Sequence, residues 1–193
     1  MTTTSSKPIT LEEFLQLPET KPASEFIAGE IIQKPMPKGR HSRLQGKLSH
    51  EINLVTEYKK IAYAFPELRC TFANRSIVPD IAVFRWQNIP FLSDGQVPDR
   101  FSLPPNWVIE ILSPEQKTNQ VIAKIVSCLE NGSELGWLID PDDQSVLVFW
   151  RDRAPSVRQE NNVLPVLAEI ELELTANQLF NYLKMENQSE NSR

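Results

Sequence analysis

Two acidic residues lie inside apolar runs that read as β-strands. Asp80 sits in Ser76-Ile77-Val78-Pro79-Asp80-Ile81-Ala82-Val83-Phe84, and Glu110 in Trp107-Val108-Ile109-Glu110-Ile111-Leu112. A carboxylate in a strand core is costly unless it is paired, hydrogen-bonded or bound to a metal. Any fold of this chain must therefore supply these two acids with cations or donors, or leave them facing solvent. Two such acids, with lysines on the helix that follows, point to a small divalent-metal site if their strands are neighbours. The plainer reading is that each acid faces water or pairs with Arg69, Arg75 or Arg85.

At 193 residues the chain is long enough for one domain with a sizeable core. We expect a single domain over 9–185, with disordered segments at 1–8 and 186–193. No apolar stretch approaches the roughly 18 to 20 residues that cross a bilayer, and the polar N-terminus lacks the apolar segment of a secretion signal. A cytoplasmic protein without a membrane partner is expected. The two cysteines, Cys70 and Cys128, lack metal-ligand spacing and read as buried thiols. A net charge of −5 argues against indiscriminate binding to nucleic acid. The charge is uneven, however. Lys34, Lys38, Arg40, Arg43 and Lys47 share a stretch without acids, which serves either as a DNA-binding face or as a solvated loop and helix start.

Thr10 and Glu13 form a capping box for a short helix ended by Pro18. Residues 25–34 read as a hairpin turning near Ala28-Gly29. Leu44, Leu48, Ile52 and Val55 recur at helical spacing, predicting a helix over 41–60 with His41 and Glu51 on or beside its apolar face. Strands are expected over 61–65, 70–73, 77–85, 107–112, 135–139, 146–150 and near 170–174. Asp140-Pro141-Asp142-Asp143 is a turn by composition. The proline-rich stretch 87–106 reads as a loop that borders a site and stays out of the core. Ser113-Pro114 opens a helix to about Glu130, with Gly132 just past its end, and a last helix covers 175–185. This order predicts an α/β fold with a central mixed sheet flanked by helices.

Hard cations such as Mg²⁺ take oxygen ligands, typically one or two carboxylates plus water and substrate phosphate. Asp80 and Glu110 would be that pair. Lys124 and Lys117 both border the apolar face of the helix after Ser113-Pro114. Either could snorkel to water or reach back to Glu110 to orient or deprotonate an attacking water. Glu25, Glu30, His41 and Glu51 are candidate auxiliary residues, each with a structural alternative on a hairpin or helix face.

Val78-Pro79-Asp80 followed by Ile109-Glu110-Ile111-Leu112 resembles the PD-(D/E)xK nuclease core, although Leu112 stands where its lysine normally does. A closer resemblance is to the Uma-two family of restriction-endonuclease-like proteins. It rests on Glu25, Gly29 and Glu30; His41; Pro79-Asp80; Glu110-Ile111-Leu112-Ser113-Pro114; Lys124 and Gly132; and Trp137-Leu138-Ile139-Asp140-Pro141, together spanning roughly residues 10–150. The resemblance implies a restriction-endonuclease-like fold and a Mg²⁺-dependent deoxyribonuclease, with Mn²⁺ as a substitute ion. Asp80 and Glu110 would hold the metal and Lys124, migrated to the helix, would assist. It also implies DNA as partner and a homodimer, since duplex cleavage often needs two sites. Gln120 and Cys128 replace an Asp and a Tyr that the family usually carries on this helix. The alternative is a catalytically inactive DNA- or protein-binding module on the same fold.

Overall fold

The chain breaks its strand at Val78-Pro79-Asp80, and that break organises the molecule. The computed structural model describes residues 9–114 and 116–185. The segments expected to be disordered, 1–8 and 186–193, lie outside the described residues. A single strand was expected over 77–85. Instead β5 (Arg75–Ile77) ends in one sheet and β6 (Ile81–Arg85) begins in another. Pro79 offers no N–H to a ladder and pushes Val78 into an extended geometry, which suits a crossing between sheets.

The larger sheet has six strands. They are β3 (Ala62–Pro66), β6, β8 (Trp107–Ile111), β9 (Leu135–Asp140), β10 (Ser145–Trp150) and β11 (Arg153–Gln159), in the order β11-β10-β9-β8-β6-β3. Only β8 and β9 run parallel, joined by the crossover helix α3 (Thr118–Glu130). Gly132 follows α3 at φ 128°, a left-handed conformation that suits glycine just past a helix end. The smaller sheet, which the sequence reading did not separate, has the order β2-β1-β5-β4-β7. It comprises β1 (Ser24–Ile27), β2 (Glu30–Gln33), β4 (Arg69–Phe72), β5 and β7 (Arg100–Phe101). The capping box at Thr10 opens α1 (Leu11–Leu15), and the hairpin turns at Ala28-Gly29 as expected.

Strand β8 alternates between two cores. Trp107, Ile109 and Ile111 pack with Leu44, Leu48 and Ile52 of α2 (Gly39–Thr56) and with Leu179 and Phe180 of α4 (Ala176–Asn181). Val108 packs on the opposite face, with Val121, Ile125 and Cys128 of α3 and with Cys70, Ile77 and Phe101 from the smaller sheet. Glu110 shares the parity of Val108, so it faces α3 and the smaller sheet.

Three further expectations change. No strand forms over 170–174; Ile170 and Leu174 are buried anchors in irregular chain, with one isolated bridge joining Val163 to Thr175. Strand β11 was missed, because an edge strand carries polar residues and here shows almost no apolar alternation. The 87–106 stretch does enter the core: β7 pairs with β4, and the Phe101 ring lies 4.8 Å from that of Phe84. Among the described residues, no helix is long and apolar enough to cross a membrane.

Candidate active site

Asp80 and Glu110 meet where the two sheets and α3 converge. Asp80 is not inside a strand; it occupies the bend just before β6. Its position is held through the main chain, since its carbonyl accepts from Gln45 Nε2 at 2.8 Å and from the Glu67 N–H at 3.2 Å. Its carboxylate is 2 % exposed. Oδ2 accepts from the Ile111 N–H at 2.7 Å and lies 3.0 Å from His41 Nε2, while Oδ1 accepts from Lys34 Nζ at 2.6 Å. Burial opposes its ionisation, but Lys34 and His41 outweigh that, and the carboxyl stays well below the usual carboxylate range.

Glu110 is the neighbour of Ile111 on β8 and is 1 % exposed. Lys124 Nζ lies 2.8 Å from its Oε1, yet neither Glu110 oxygen accepts a well-directed hydrogen bond. Burial pushes its carboxyl up to about 7, with Lys124 pulling it down and Asp80 adding to the rise. Lys124, on the inner side of α3, also reaches Glu25 Oε1 at 3.0 Å and Oε2 at 3.3 Å. Burial disfavours its ammonium, but Glu110, Glu25 and Asp80 together raise its pKa above the ordinary lysine value. It is a fixed cation and a poor base.

Glu25, on β1 of the smaller sheet, also accepts from the Val78 N–H at 2.8 Å. The separate sheet thus brings a second carboxylate to Lys124. Glu30 begins β2, is exposed, and borders the cavity on that side. Glu51 pairs with Lys47 one turn earlier on α2. Lys117 is the exposed N-cap residue of α3, just outside the helix on which it was expected.

The basic run divides. Lys34 is buried at Asp80 with its side chain 8 % exposed, and also donates to the Val78 carbonyl at 2.7 Å. Arg40 pairs with Asp142 at 2.6 Å and donates to the Pro141 carbonyl; Arg43 donates to the Tyr182 carbonyl at 2.9 Å. Lys47 lies over the Tyr182 ring. Lys38 precedes the first turn of α2. Hence α2 uses several of these cations to hold the β9–β10 turn and the α4 end. Asp140, expected in the turn, is the last residue of β9, and its Oδ1 anchors the turn by accepting from the N–H groups of Asp142 and Asp143.

Sequence reasoning missed the place of Lys34. The signal was available in the hairpin: Glu25 pairs with Ile32, and Lys34 follows Ile32 by two, so Glu25 and Lys34 share a face. Gln45 carried no signal, because its role depends on where Asp80 bends.

A cleft of about 690 Å³ opens onto Asp80, lined among others by Lys34, His41, Pro35, Met36 and Ser113. A second cavity of about 540 Å³ reaches Glu25 and Lys124 from the other side. Lys34, Pro35 and Gln116 border both.

A model of the Uma2 family, described as putative restriction endonuclease, matches residues 11–179. The chain belongs to the Uma2 family. It is also similar to a crystal structure described as a putative nuclease belonging to DUF820 from Anabaena variabilis ATCC 29413. The two chains are 49% identical with a TM-score of 0.90, over 92% of this chain and 100% of that one. No curated protein matches.

The residues fit a divalent ion. Two carboxylates converge, and the Glu110 oxygens are buried without a directed donor, which suits hard oxygen ligation. Among the described residues no group of three or more His, Cys, Asp or Glu could hold a metal alone. An ion here would therefore rely on the pair plus water and phosphate, the usual habit of Mg²⁺.

Proposed function

We propose that the protein is a Mg²⁺-dependent deoxyribonuclease that hydrolyses DNA phosphodiester bonds, with Mn²⁺ as a substitute ion. The observation that carries this reading is the pair of buried carboxylates, Asp80 and Glu110, beside a buried lysine. Membership of a family described as putative restriction endonuclease supports it.

Asp80 and Glu110 would hold the ion. A divalent ion so held polarises a phosphoryl oxygen and acidifies water. Lys124 stays an ammonium, so its part is to orient the attacking water and offset negative charge growing on the phosphoryl oxygens. Glu25 holds Lys124 in place, and His41 steadies Asp80. Lys38, just before α2, together with Arg40, Arg43 and Lys47 on it, forms the proposed phosphate-contacting surface. Arg40, with 55% of its side chain exposed, is well placed to exchange Asp142 for a phosphate. With one site per chain, cutting both strands calls for two copies acting together.

The rival is a binding module without catalysis, favoured by the net charge of −5 and by the internal pairing of Arg40, Arg43 and Lys47. Cleavage of supercoiled and single-stranded DNA with Mg²⁺ or Mn²⁺ separates the two. The wild type should cut, and an Asp80→Asn/Glu110→Gln double variant should not. Equal residual cutting by both would indicate a contaminant, and retention of DNA without cutting would favour the module.

A further inference from the structure

Lys34 holds the oxygen of Asp80 that a metal would need. Asp80 Oδ2 is already engaged by the Ile111 N–H and by His41 Nε2. Oδ1 is the other oxygen, and the Lys34 ammonium sits on it at 2.6 Å while donating to the Val78 carbonyl at 2.7 Å. The placement is built into the fold. The Lys34 N–H donates to the Ala23 carbonyl at 2.9 Å, extending the β1–β2 hairpin by one residue, and Pro35 follows at once. The side chain is thereby turned inward on the face that Glu25 shares.

Two like charges cannot both sit against one carboxylate oxygen in a buried setting without strong repulsion. A divalent ion bound through Oδ1 and the Lys34 ammonium therefore exclude each other. Lysine is suited to such an exchange, because its ammonium is a point charge on a flexible four-carbon stem. Pro35 and Met36 line the cleft beside it, so an ammonium leaving Asp80 moves into the space that opens onto solvent.

We propose that Lys34 is a built-in competitor for the cation site: divalent-ion binding at Asp80 proceeds by displacing the Lys34 ammonium from Oδ1 into the cleft. This rests on the reading of Asp80 and Glu110 as the metal-binding pair. The competitor keeps the adjoining carboxylates compensated and lowers metal affinity. Once displaced, its charge is available to an anionic phosphate in the same cleft.

The test is Mn²⁺ binding by calorimetry on the full chain without DNA, comparing wild type, Lys34→Met, Lys34→Gln, Lys34→Arg and Asp80→Asn. If the ammonium leaves Oδ1 less than a tenth of the time, removing it tightens binding by about tenfold or more. Lys34→Met and Lys34→Gln should both show this gain; Gln keeps a donor for the Val78 carbonyl should Met disturb the fold, and circular dichroism checks each variant. Lys34→Arg, which keeps the charge, should show no gain. Equal or weaker Mn²⁺ binding by folded Lys34→Gln, alongside wild-type binding that Asp80→Asn abolishes, would overturn the competitor and leave the metal pair standing. Absence of binding in wild type and Lys34 variants alike would overturn both.

Discussion

Asp80 Oδ2 accepts the backbone N–H of Ile111 at 2.7 Å, so one acid of the site is fastened to the strand that carries the other. The same carboxylate serves Lys34 and His41. Asp80→Ala would strand these groups, at roughly 1–3 kcal/mol for an unmet buried donor and about 3–5 kcal/mol for a broken buried ion pair. Its loss of activity would then be ambiguous. Asp80→Asn keeps an oxygen for Ile111 and should unfold closer to wild type. Cleavage should fall by more than the ~10–100-fold typical of removing a metal's outer partner. Urea titrations beside cleavage rates check both parts, and Asp80→Asn with wild-type rates would remove Asp80 from the site.

Lys124 and Lys117 differ sharply in their surroundings. Lys124 is 5 % exposed and serves Glu25 and Glu110 together. Lys124→Met should therefore cost about 3–5 kcal/mol as well as activity, since it leaves buried acids without their cation. Lys117 is exposed, with no side-chain bond at the helix start. Lys117→Ala should change stability by no more than about 0.5 kcal/mol and leave cleavage unchanged. Thermal denaturation and initial rates on both variants provide the check. A large rate loss in Lys117→Ala alone would transfer the proposed role to that residue.

Local signals made much of this arrangement readable. Thr10 and Glu13 announced a cap, Leu44, Leu48 and Ile52 a helix face, and the apolar run around Glu110 a strand. What was hidden depended on how distant pieces close on one another. The assignment of Asp80 to a strand failed because Val78-Pro79 switches sheets; Pro79 argues against a continuous central strand, but the apolar residues on both sides of it read as one run. Lys34 looked like one more member of a basic stretch, and only the closing of the hairpin onto Asp80 separates it from Arg40 and Arg43. Strand β11 owes its existence to pairing with β10, since its own residues, with Arg153, Ser156, Arg158 and Gln159 among them, show no apolar pattern.

Gly136 on β9 faces α3 so closely that an added Cβ would fall within the Ile125 side chain. That approach sets how near α3 lies to the sheet, and α3 carries Lys124. Gly136→Ala should destabilise by about 1–3 kcal/mol through overpacking. Gly136→Ala/Ile125→Leu, which removes the Cγ2 methyl that the new Cβ would meet, should recover part of the loss. Melting temperatures of the three proteins decide this, and an unperturbed Gly136→Ala would show that α3 has room to shift.

Arg85, at the end of β6, grips Glu134 with two hydrogen bonds of 2.8 Å, and Asn106 adds a third to the same carboxylate at 3.0 Å. The Arg85 bonds hold the Glu134 carboxyl below its ordinary value of 4.5 despite some burial. A group whose folded pKa is depressed stabilises fully above its unfolded value, and loses that contribution as pH falls through the folded value. Glu134 is 38% exposed, so solvent screening keeps the effect small. Above the ordinary glutamate range, wild type should be more stable than Glu134→Gln. The gap should narrow as pH drops below 4.5, where protonation makes wild type resemble the variant. Urea midpoints for both proteins between neutral and acidic pH measure this. A gap constant across that range would mean that Glu134 acts through hydrogen bonding and packing alone, with no contribution from its charge.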